Sequence, residues 1–419
     1  MMKAHLIGTI DITAAGGNKG LLGDLDGDGR MELVMLQADG NIDDRYVPHQ
    51  VTCITAYRLN GQMMWQVGTP TEHPGGTGSD FPAQIYDIDG DGKLEVLCVM
   101  KKDFLVLDGS TGKVKKSYQL PGEEAHDCII IANLRGQEHS RDIILKDRYH
   151  KMWALDNEFN LLWTHEGNLG HFPWAADING DGYDEVMAGY DLLDHNGQLL
   201  WSCKDLDDHA DCLWVGDVNG DGKPEWVVGG SVTCMYDRDG KELWRYEGSI
   251  ESQHVALGRF CKDKPGLQIA GLDRIRRGDG YKGQWDGKDG MFLLDQEGKE
   301  LWKEERTTKG WLTIVDTLSN WNGEGEDYIL AYRRGGGVNP ALYTGEMEPV
   351  LVFGEDGYVL HGDLFGRGKE EVIVYTAATA YIYSGTPYDF GYPATMKPVL
   401  QTRRQYAATL YPGGEYPLM

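Results

Sequence analysis

Four stretches of this sequence place oxygen-bearing side chains at alternate positions of a glycine-rich turn. They are Asp24-Leu-Asp26-Gly-Asp28-Gly-Arg-Met-Glu32, Asp87-Ile-Asp89-Gly-Asp91-Gly-Lys-Leu-Glu95, Asp177-Ile-Asn179-Gly-Asp181-Gly-Tyr-Asp-Glu185 and Asp217-Val-Asn219-Gly-Asp221-Gly-Lys-Pro-Glu225. Carboxylates and carbonyls spaced this way form an oxygen cage for a hard cation such as Ca2+, and the glycines permit the tight turn that closes it. An EF-hand would need long helical patterns on both sides. Here short apolar runs such as Leu94-Glu-Val-Leu-Cys-Val-Met100 flank the turn, so each cage is expected to join two strands.

Aligning the chain on these turns exposes a second set of reactive residues. Ahead of the turns stand Asn18-Lys19, Ser79-Asp80, His126-Asp127, His171, His209 with Asp211, Gln253-His254 and Lys309-Gly-Trp311. Behind the strands that follow the turns stand Lys101-Lys102, Lys146 with Arg148-Tyr149-His150, Tyr190, Arg274 with Arg276-Arg277, and Arg333-Arg334. Histidine suits proton transfer near neutral pH and also metal ligation. A cationic rim on an acidic body implies an anionic ligand, and arginine grips carboxylates through two parallel hydrogen bonds.

Histidines, a tyrosine and arginines around an anionic pocket fit β-elimination from a uronic acid. Cations neutralise the C6 carboxylate, a base takes the C5 proton, and a second group protonates the leaving oxygen on C4. The candidate catalytic residues are His126, His150, His171, Tyr149 and Arg148. The candidate substrate contacts are Arg274, Arg276, Arg277, His209, His254, Lys146, Tyr190, Trp311 and Arg333, with Arg148 and Arg274 as the first choices for the carboxylate. Two other readings stay open. Converging imidazoles also suit Zn2+, and Asp80, Asp127 and Asp211 would serve a glycoside hydrolase that needs paired carboxylates.

The elements that must position these groups repeat along the chain. Degenerate turns occur at Asn133-Leu-Arg-Gly136, at Gly258-Arg-Phe ahead of Pro265-Gly-Leu-Gln-Ile-Ala270, at Asp316 through Asn322 to Asp327, and at Asp363 to Glu371, which makes eight turns in all. Most are followed by an apolar-Asp run, a tight turn and an apolar-Trp end, as in Leu192-Leu-Asp-His-Asn-Gly197 to Trp201. Strand, cation turn, strand, loop, strand, tight turn and strand in about 45 residues is one propeller blade. The sequence therefore predicts an all-β, eight-bladed β-propeller with calcium-binding hairpins, seven blades being the alternative. It forms a single domain over 1–419, with 388–419 as a tail that closes the ring or wraps the rim.

Composition narrows the partners. The net charge is −26, from 66 acidic against 40 basic residues, which argues against nucleic acid and anionic membranes. No run of about 18 apolar residues is present to span a membrane. Seven cysteines, most inside apolar runs, predict buried reduced thiols. The start, Met-Met-Lys-Ala-His-Leu-Ile-Gly8, has no signal-peptide core, so the expectation is a cytoplasmic protein. A secreted protein given without its leader would read the same way.

With these residues in view, the chain resembles the rhamnogalacturonan lyases of polysaccharide lyase family 11. The resemblance rests on the Asp-x-Asp-Gly-Asp-Gly-x-x-Glu hairpins and on blades such as His171-Phe-Pro-Trp-Ala-Ala-Asp-Ile-Asn-Gly-Asp-Gly182. It rests also on Gln253-His-Val-Ala-Leu-Gly-Arg-Phe260 and on the tail Lys397-Pro-Val-Leu-Gln-Thr-Arg-Arg-Gln-Tyr406 with Tyr411-Pro-Gly-Gly-Glu-Tyr-Pro417. It implies an eight-bladed, calcium-loaded propeller that cleaves an acidic, rhamnose-containing oligo- or polysaccharide at a rhamnose–uronate bond. The chain is shorter than those lyases, and their N-terminal β domain is not expected in it. It is also similar to ulvan lyases and to rhamnose–glucuronate lyases and rhamnosidases, which leaves an α-L-rhamnosidase-like hydrolase as an alternative. A non-catalytic, calcium-dependent carbohydrate-binding or adhesion propeller is another. A quinone-dependent dehydrogenase shares the apolar-Asp-x-x-Gly-x-x-Leu-Trp ends but not the calcium hairpins.

Overall fold

Eight antiparallel sheets follow one another along the chain and close into a ring. This is the expected propeller, with eight blades rather than seven. The computed structural model describes residues 2–15, 19–71, 80–206, 208–249, 251–274, 289–304, 313–333, 337–389, 409 and 413–417, with backbone alone at positions 274, 289, 313 and 333. Blade 3 shows the pattern: Ile129–Ala132 lies innermost, then Asp142–Lys146, Lys151–Leu155 and, outermost, Leu161–Glu166. The first seven blades begin with inner strands Lys19–Gly23, Ala83–Tyr86, Ile129–Ala132, Trp174–Ala176, Cys212–Gly216, Ser252–Gly258 and Thr313–Ser319.

The eighth blade closes the ring. Its inner strands Tyr358–Gly362, Glu371–Tyr375 and Thr379–Ser384 are completed on the outside by the N-terminal strand His5–Asp11, paired His5 to Ser384 through Asp11 to Thr379. The N-terminal strand is thus joined to strands from late in the chain in one sheet, which closes the ring. The tail behaves differently from a rim wrap over its described part. Gly414–Glu415 adds in parallel to the inner edge of blade 5, opposite Trp214 and Val215, and the Tyr416 hydroxyl donates to Asp327 of blade 7 at 2.6 Å. The tail end therefore lies along the central channel. Gly414 has the indole of Trp214 where a Cβ would stand, so the close approach needs a glycine.

Burial follows position in the blade. Inner and second strands are buried on both faces, as in Ile129–Ala132 and Asp142–Lys146, and they carry continuous apolar runs. Outer strands alternate, as in Leu161–Glu166 and Val114–Gln119. The core is therefore not central but divided into seams between neighbouring blades. One seam packs Leu21, Val34 and Ile54 of blade 1 on Ile85, Val96 and Cys98 of blade 2. Another packs Trp174 and Met187 of blade 4 on Leu213, Trp226 and Cys234 of blade 5.

The repeated apolar-Trp ends fasten each seam from outside. The Trp163 indole N–H donates to the His195 carbonyl of the next blade at 2.9 Å, and Trp65, Trp201 and Trp244 do the same to Gly109, Arg238 and Gln296. Each ring lies over a glycine of the tight turn it reaches: Gly197 for Trp163 and Gly112, Gly240 and Gly298 for the others. The seven cysteines are free thiols, with Cys98, Cys128 and Cys212 fully buried, as expected.

Candidate functional site

The acidic turns all lie at one end of the blades, between first and second strands. The inner-strand starts and the second-to-third loops lie at the other. In blade 4 the two turn glycines, Gly180 and Gly182, have φ of 79° and 89°, a conformation that excludes most side chains. Asp177 accepts the backbone N–H of Gly180 at 2.7 Å and of Gly182 at 2.9 Å, and Glu185 accepts that of Ile178 at 3.1 Å. Asn179 turns its amide to Glu185 at 2.7 Å. Blade 5 repeats this with Asp217, Asn219, Asp221 and Glu225.

Blades 1 and 2 bring Asp24, Asp26 and Glu32, and Asp87, Asp89 and Glu95, into groups able to hold a metal ion, with ligand oxygens within 4.8 Å of one another. Burial pushes Glu95, Glu185 and Glu225 up to about 7, and burial with the Asp26 charge pushes Glu32 up to about 9. Carboxylates forced together in this way suit a cation that offsets their repulsion.

At the opposite end, the residues expected to carry chemistry sort into two groups. Between blades 3, 4 and 5 the structure brings together Arg148, Tyr149, His171, His209 and Asp211. The His171 and His209 Nε2 atoms are 3.1 Å apart, and the Asp211 carboxylate lies 3.5 and 3.7 Å from them. The Tyr149 ring stands 5.5 Å from the His171 ring and 5.3 Å from that of His209. The donors fix the tautomers. Arg148 Nη2, which can only donate, faces His171 Nδ1 at 3.4 Å, so that nitrogen accepts and the proton sits on Nε2. His171 then donates to His209, whose Nδ1–H reaches Asp208 at 2.5 Å.

His171, His209 and Asp211 also form a group able to hold a metal. His209 suits that role, because a ligating imidazole normally donates its other N–H to a carboxylate. His171 suits it less, because its other nitrogen would have to present a proton to a guanidinium.

Several expectations need correction. His126 does not join this cluster. Its ring turns toward blade 1, with Nδ1 3.1 Å from the His49 carbonyl, and burial lowers its pKa. His150 is exposed, with its ring 6.5 Å from Tyr149, and does not face His171. Lys146 is 0 % exposed and bound to Asp127 at 2.5 Å, so it is a buried counterion rather than a substrate contact. Arg148 is also largely enclosed, donating to Asp80 and Asp127 at 3.1 Å each. The basic funnel is therefore neutralised in this sector by two carboxylates.

Tyr190 lies in the seam between blades 4 and 5. Its hydroxyl donates to the His209 carbonyl at 2.9 Å, which positions His209 rather than ligand. His254 is buried within the inner strand of blade 6. Arg274 and Arg333 end the second strands of blades 6 and 7, at the expected end of the ring. Arg276, Arg277 and Trp311 lie outside the described residues.

Sequence reasoning missed Asp208, whose place directly before His209 was the available signal, and His49. His49 pairs with Asp39 at 3.0 Å, and although burial lowers its pKa, the Asp39 and Asp44 carboxylates raise it overall.

Comparison with known proteins agrees with the propeller fold. A family model described as "Rhamnogalacturonan lyase family 11, C-terminal domain" matches residues 12–119, which takes in blades 1 and 2. Among curated proteins the chain is similar to rhamnogalacturonan endolyase YesW of Bacillus subtilis, at 27% identity over 44% of this chain and 39% of that protein. It is also similar to rhamnogalacturonan exolyase YesX of the same organism, at 24% over 44% and 40%. The matched stretch thus spans well under half the length of either relative.

Among solved structures the exotype rhamnogalacturonan lyase YesX superposes with a TM-score of 0.66 at 20% identity, covering 88% of this chain and 72% of that one. The Vibrio cholerae biofilm matrix protein Bap1 superposes with a TM-score of 0.61 at 14% identity, covering 92% of each. The chain is thus similar to rhamnogalacturonan lyases over part of its sequence, and to their solved structures in its propeller fold.

Proposed function

We propose that the protein is a carbon–oxygen lyase that cleaves a rhamnose–uronate bond of a rhamnogalacturonan-type saccharide by β-elimination. The observation that carries this reading is the convergence of His171, His209 and Tyr149 at the end of the ring opposite the acidic turns. The similarity to YesW and YesX supports the substrate class. His209, with its Nδ1 proton on Asp208, keeps its Nε2 lone pair as the base for the C5 proton once substrate displaces His171 from it. The electron pair left on C5 forms the C4–C5 double bond as the C4–O bond breaks. His171 Nε2–H or the Tyr149 hydroxyl protonates the departing oxygen. Because Arg148 is already paired with Asp80 and Asp127, the uronate carboxylate falls to the arginines of the blade 6 and 7 loops, Arg274, Arg276, Arg277 and Arg333.

A hydrolase would need two available carboxylates. Asp80 and Asp127 are fully buried and bound to Arg148 and Lys146, which weakens that alternative.

Ca2+ is the ion whose chemistry suits the turns of blades 1, 2, 4 and 5, where it would cross-link the ends of strands far from the reacting bond. Zn2+ at His171, His209 and Asp211 is the competing reading of the cluster, and metal analysis separates the two.

Incubation with rhamnogalacturonan oligosaccharides tests the proposal. Growth of the unsaturated-uronate absorbance is expected. Release of reducing sugar without that absorbance would make the protein a hydrolase, and neither signal across acidic rhamnose-containing substrates would leave a binding propeller.

A further inference from the structure

Six of the eight turns end in an acidic residue held in one way. Its far oxygen accepts the backbone N–H of the turn's second residue: Leu25 to Glu32, Ile88 to Glu95, Leu134 to Asp142, Ile178 to Glu185, Val218 to Glu225 and Leu364 to Glu371, all between 2.8 and 3.1 Å. The near oxygen then points into the turn, where a cation would sit. What meets it differs from blade to blade. In blades 4 and 5 it is the neutral side-chain amide of Asn179 or Asn219, at 2.7 Å. In blade 3 it is Arg135, whose Nε donates to Asp142 at 2.7 Å. In blade 8 it is Arg367, whose Nη2 donates to Glu371.

Both arginines replace a ligand of the cage. Arg135 stands where blades 4 and 5 have Asn179 and Asn219, and Arg367 stands where they have Asp181 and Asp221. Both are also held in place. Arg135 Nη2 donates to Asn157 at 2.9 Å, and the Arg367 guanidinium lies 3.7 Å above the Tyr388 ring. We propose that Arg135 and Arg367 are resident cations that stand in for the divalent ion, so that blades 3 and 8 close their turns without metal while blades 1, 2, 4 and 5 take it up.

The physical exchange is simple. A guanidinium keeps its charge at any working pH and delivers it on directed N–H bonds. It therefore offsets the buried carboxylate as an ion would, in place of the oxygen ligand it replaces. Burial raises the pKa of Asp142 while Arg135 opposes that rise, as expected of a counterion. Blade 2 shows the contrast. Lys115 reaches Asp89 and Glu95 at 2.7 Å, but it comes from the outer strand and the full ligand set remains beneath it. That ammonium competes with the ion rather than replacing a ligand.

This inference rests on the calcium reading of the intact turns, and its test separates the two. Bound calcium is counted in the purified full chain and in three single variants, Glu185→Gln, Asp142→Asn and Glu371→Gln. Glu185→Gln is expected to lose one equivalent, and the other two none. Loss of an equivalent from Asp142→Asn or Glu371→Gln would overturn the arginine assignment while leaving the cages intact. No loss from Glu185→Gln would overturn the calcium reading itself, and the assignment with it. A gain-of-site variant checks the conclusion without disabling the fold's acidic anchor. Asn133→Asp, Arg135→Asn and Gln137→Asp together restore the first three ligand types of blade 4, and the triple variant is expected to bind one calcium more than the parent and to melt higher when calcium is added. An unchanged count in that folded variant would also overturn the assignment.

Discussion

The Nε2 atoms of His171 and His209 face each other at 3.1 Å, each with its other nitrogen fixed from behind, by Arg148 in one case and Asp208 in the other. One imidazole therefore offers a proton and the other a lone pair before any ligand arrives, which is the division of labour that an elimination needs. Removing a proton-transfer residue typically costs about 10²–10⁴-fold. His171→Ala and His209→Ala should each lower turnover by at least that range with the melting temperature little changed. His150→Ala, at an exposed position, should leave turnover near the parent value. Initial rates from the unsaturated-uronate absorbance decide this, and a normal rate in His209→Ala would remove it as the base.

Arg148 supports the site by a different route. It bridges Asp80 and Asp127, which are both fully buried, while Lys146 holds Asp127 from the other side. Burial and the Asp127 charge raise the pKa of Asp80, and Arg148 is the first of the groups that oppose this. Deleting one member of a buried ion network leaves an uncompensated charge, at a cost of about 3–5 kcal/mol. Arg148→Ala should therefore lower the unfolding midpoint as well as activity. A stability equal to the parent, with only substrate affinity lost, would return Arg148 to the role of carboxylate clamp.

The ring was legible because its spacing is carried by residues that cannot be exchanged freely. Glycines at φ near 80°, the carboxylates of the turns and the tryptophan ends recur at matching places, so strand order and the two ends of each blade follow from the sequence. Which histidines meet was not legible. His126 and His171 occupy equivalent starts of neighbouring inner strands, yet one turns to His49 and the other to His209. That choice depends on a loop from blade 1 and on His209, contacts separated by 77 and 38 residues in the two cases. The neutralised funnel was hidden for the same reason. Asp80 and Asp127 come from the starts of blades 2 and 3, and nothing local marks them as partners of Arg148.

His361 predicts how stability depends on pH. It lies between Glu370 at 2.7 Å and Asp316 at 3.1 Å, on the inner strand of blade 8 facing blade 7. Burial alone would lower its pKa, but the two carboxylates outweigh burial and raise it to about 10. The folded state thus holds a proton that the unfolded chain releases near 6.5. The resulting stability is fully present below about pH 6.5 and fades as pH rises toward 10. Melting temperatures should fall across that window, and His361→Gln should flatten the slope. An unchanged slope in the variant would place the pH dependence elsewhere.

Calcium removal should act on the fold before it acts on the substrate. The intact turns lie at the end of the blades opposite His171 and His209, and an ion present at about 100 times its dissociation constant stabilises the folded state by about 2.7 kcal/mol per site. Chelation should lower the melting temperature of the parent protein, with activity at a permissive temperature largely retained. Loss of all activity at an unchanged melting temperature would instead put a cation at the reacting bond, with the His171, His209 and Asp211 group as its place.

The tryptophan seams give a last expectation, independent of any ligand. Trp163 reaches across from blade 3 so that its ring covers Gly197 of blade 4, where an added Cβ would stand 2.6 Å from the ring, and its N–H is bound to the His195 carbonyl. Gly197 has a φ of 78°, so a side chain there meets both backbone strain and the indole. Gly197→Val should destabilise the protein, and so should Trp163→Ala, by about 3 kcal/mol in the latter case. The two losses should not add in the double variant, because removing the ring makes room for the new side chain and only the strain remains. A double-variant cycle read by chemical denaturation measures this directly. Full additivity would mean that the ring and the turn do not press on each other, and that blades 3 and 4 are held by their apolar seam alone.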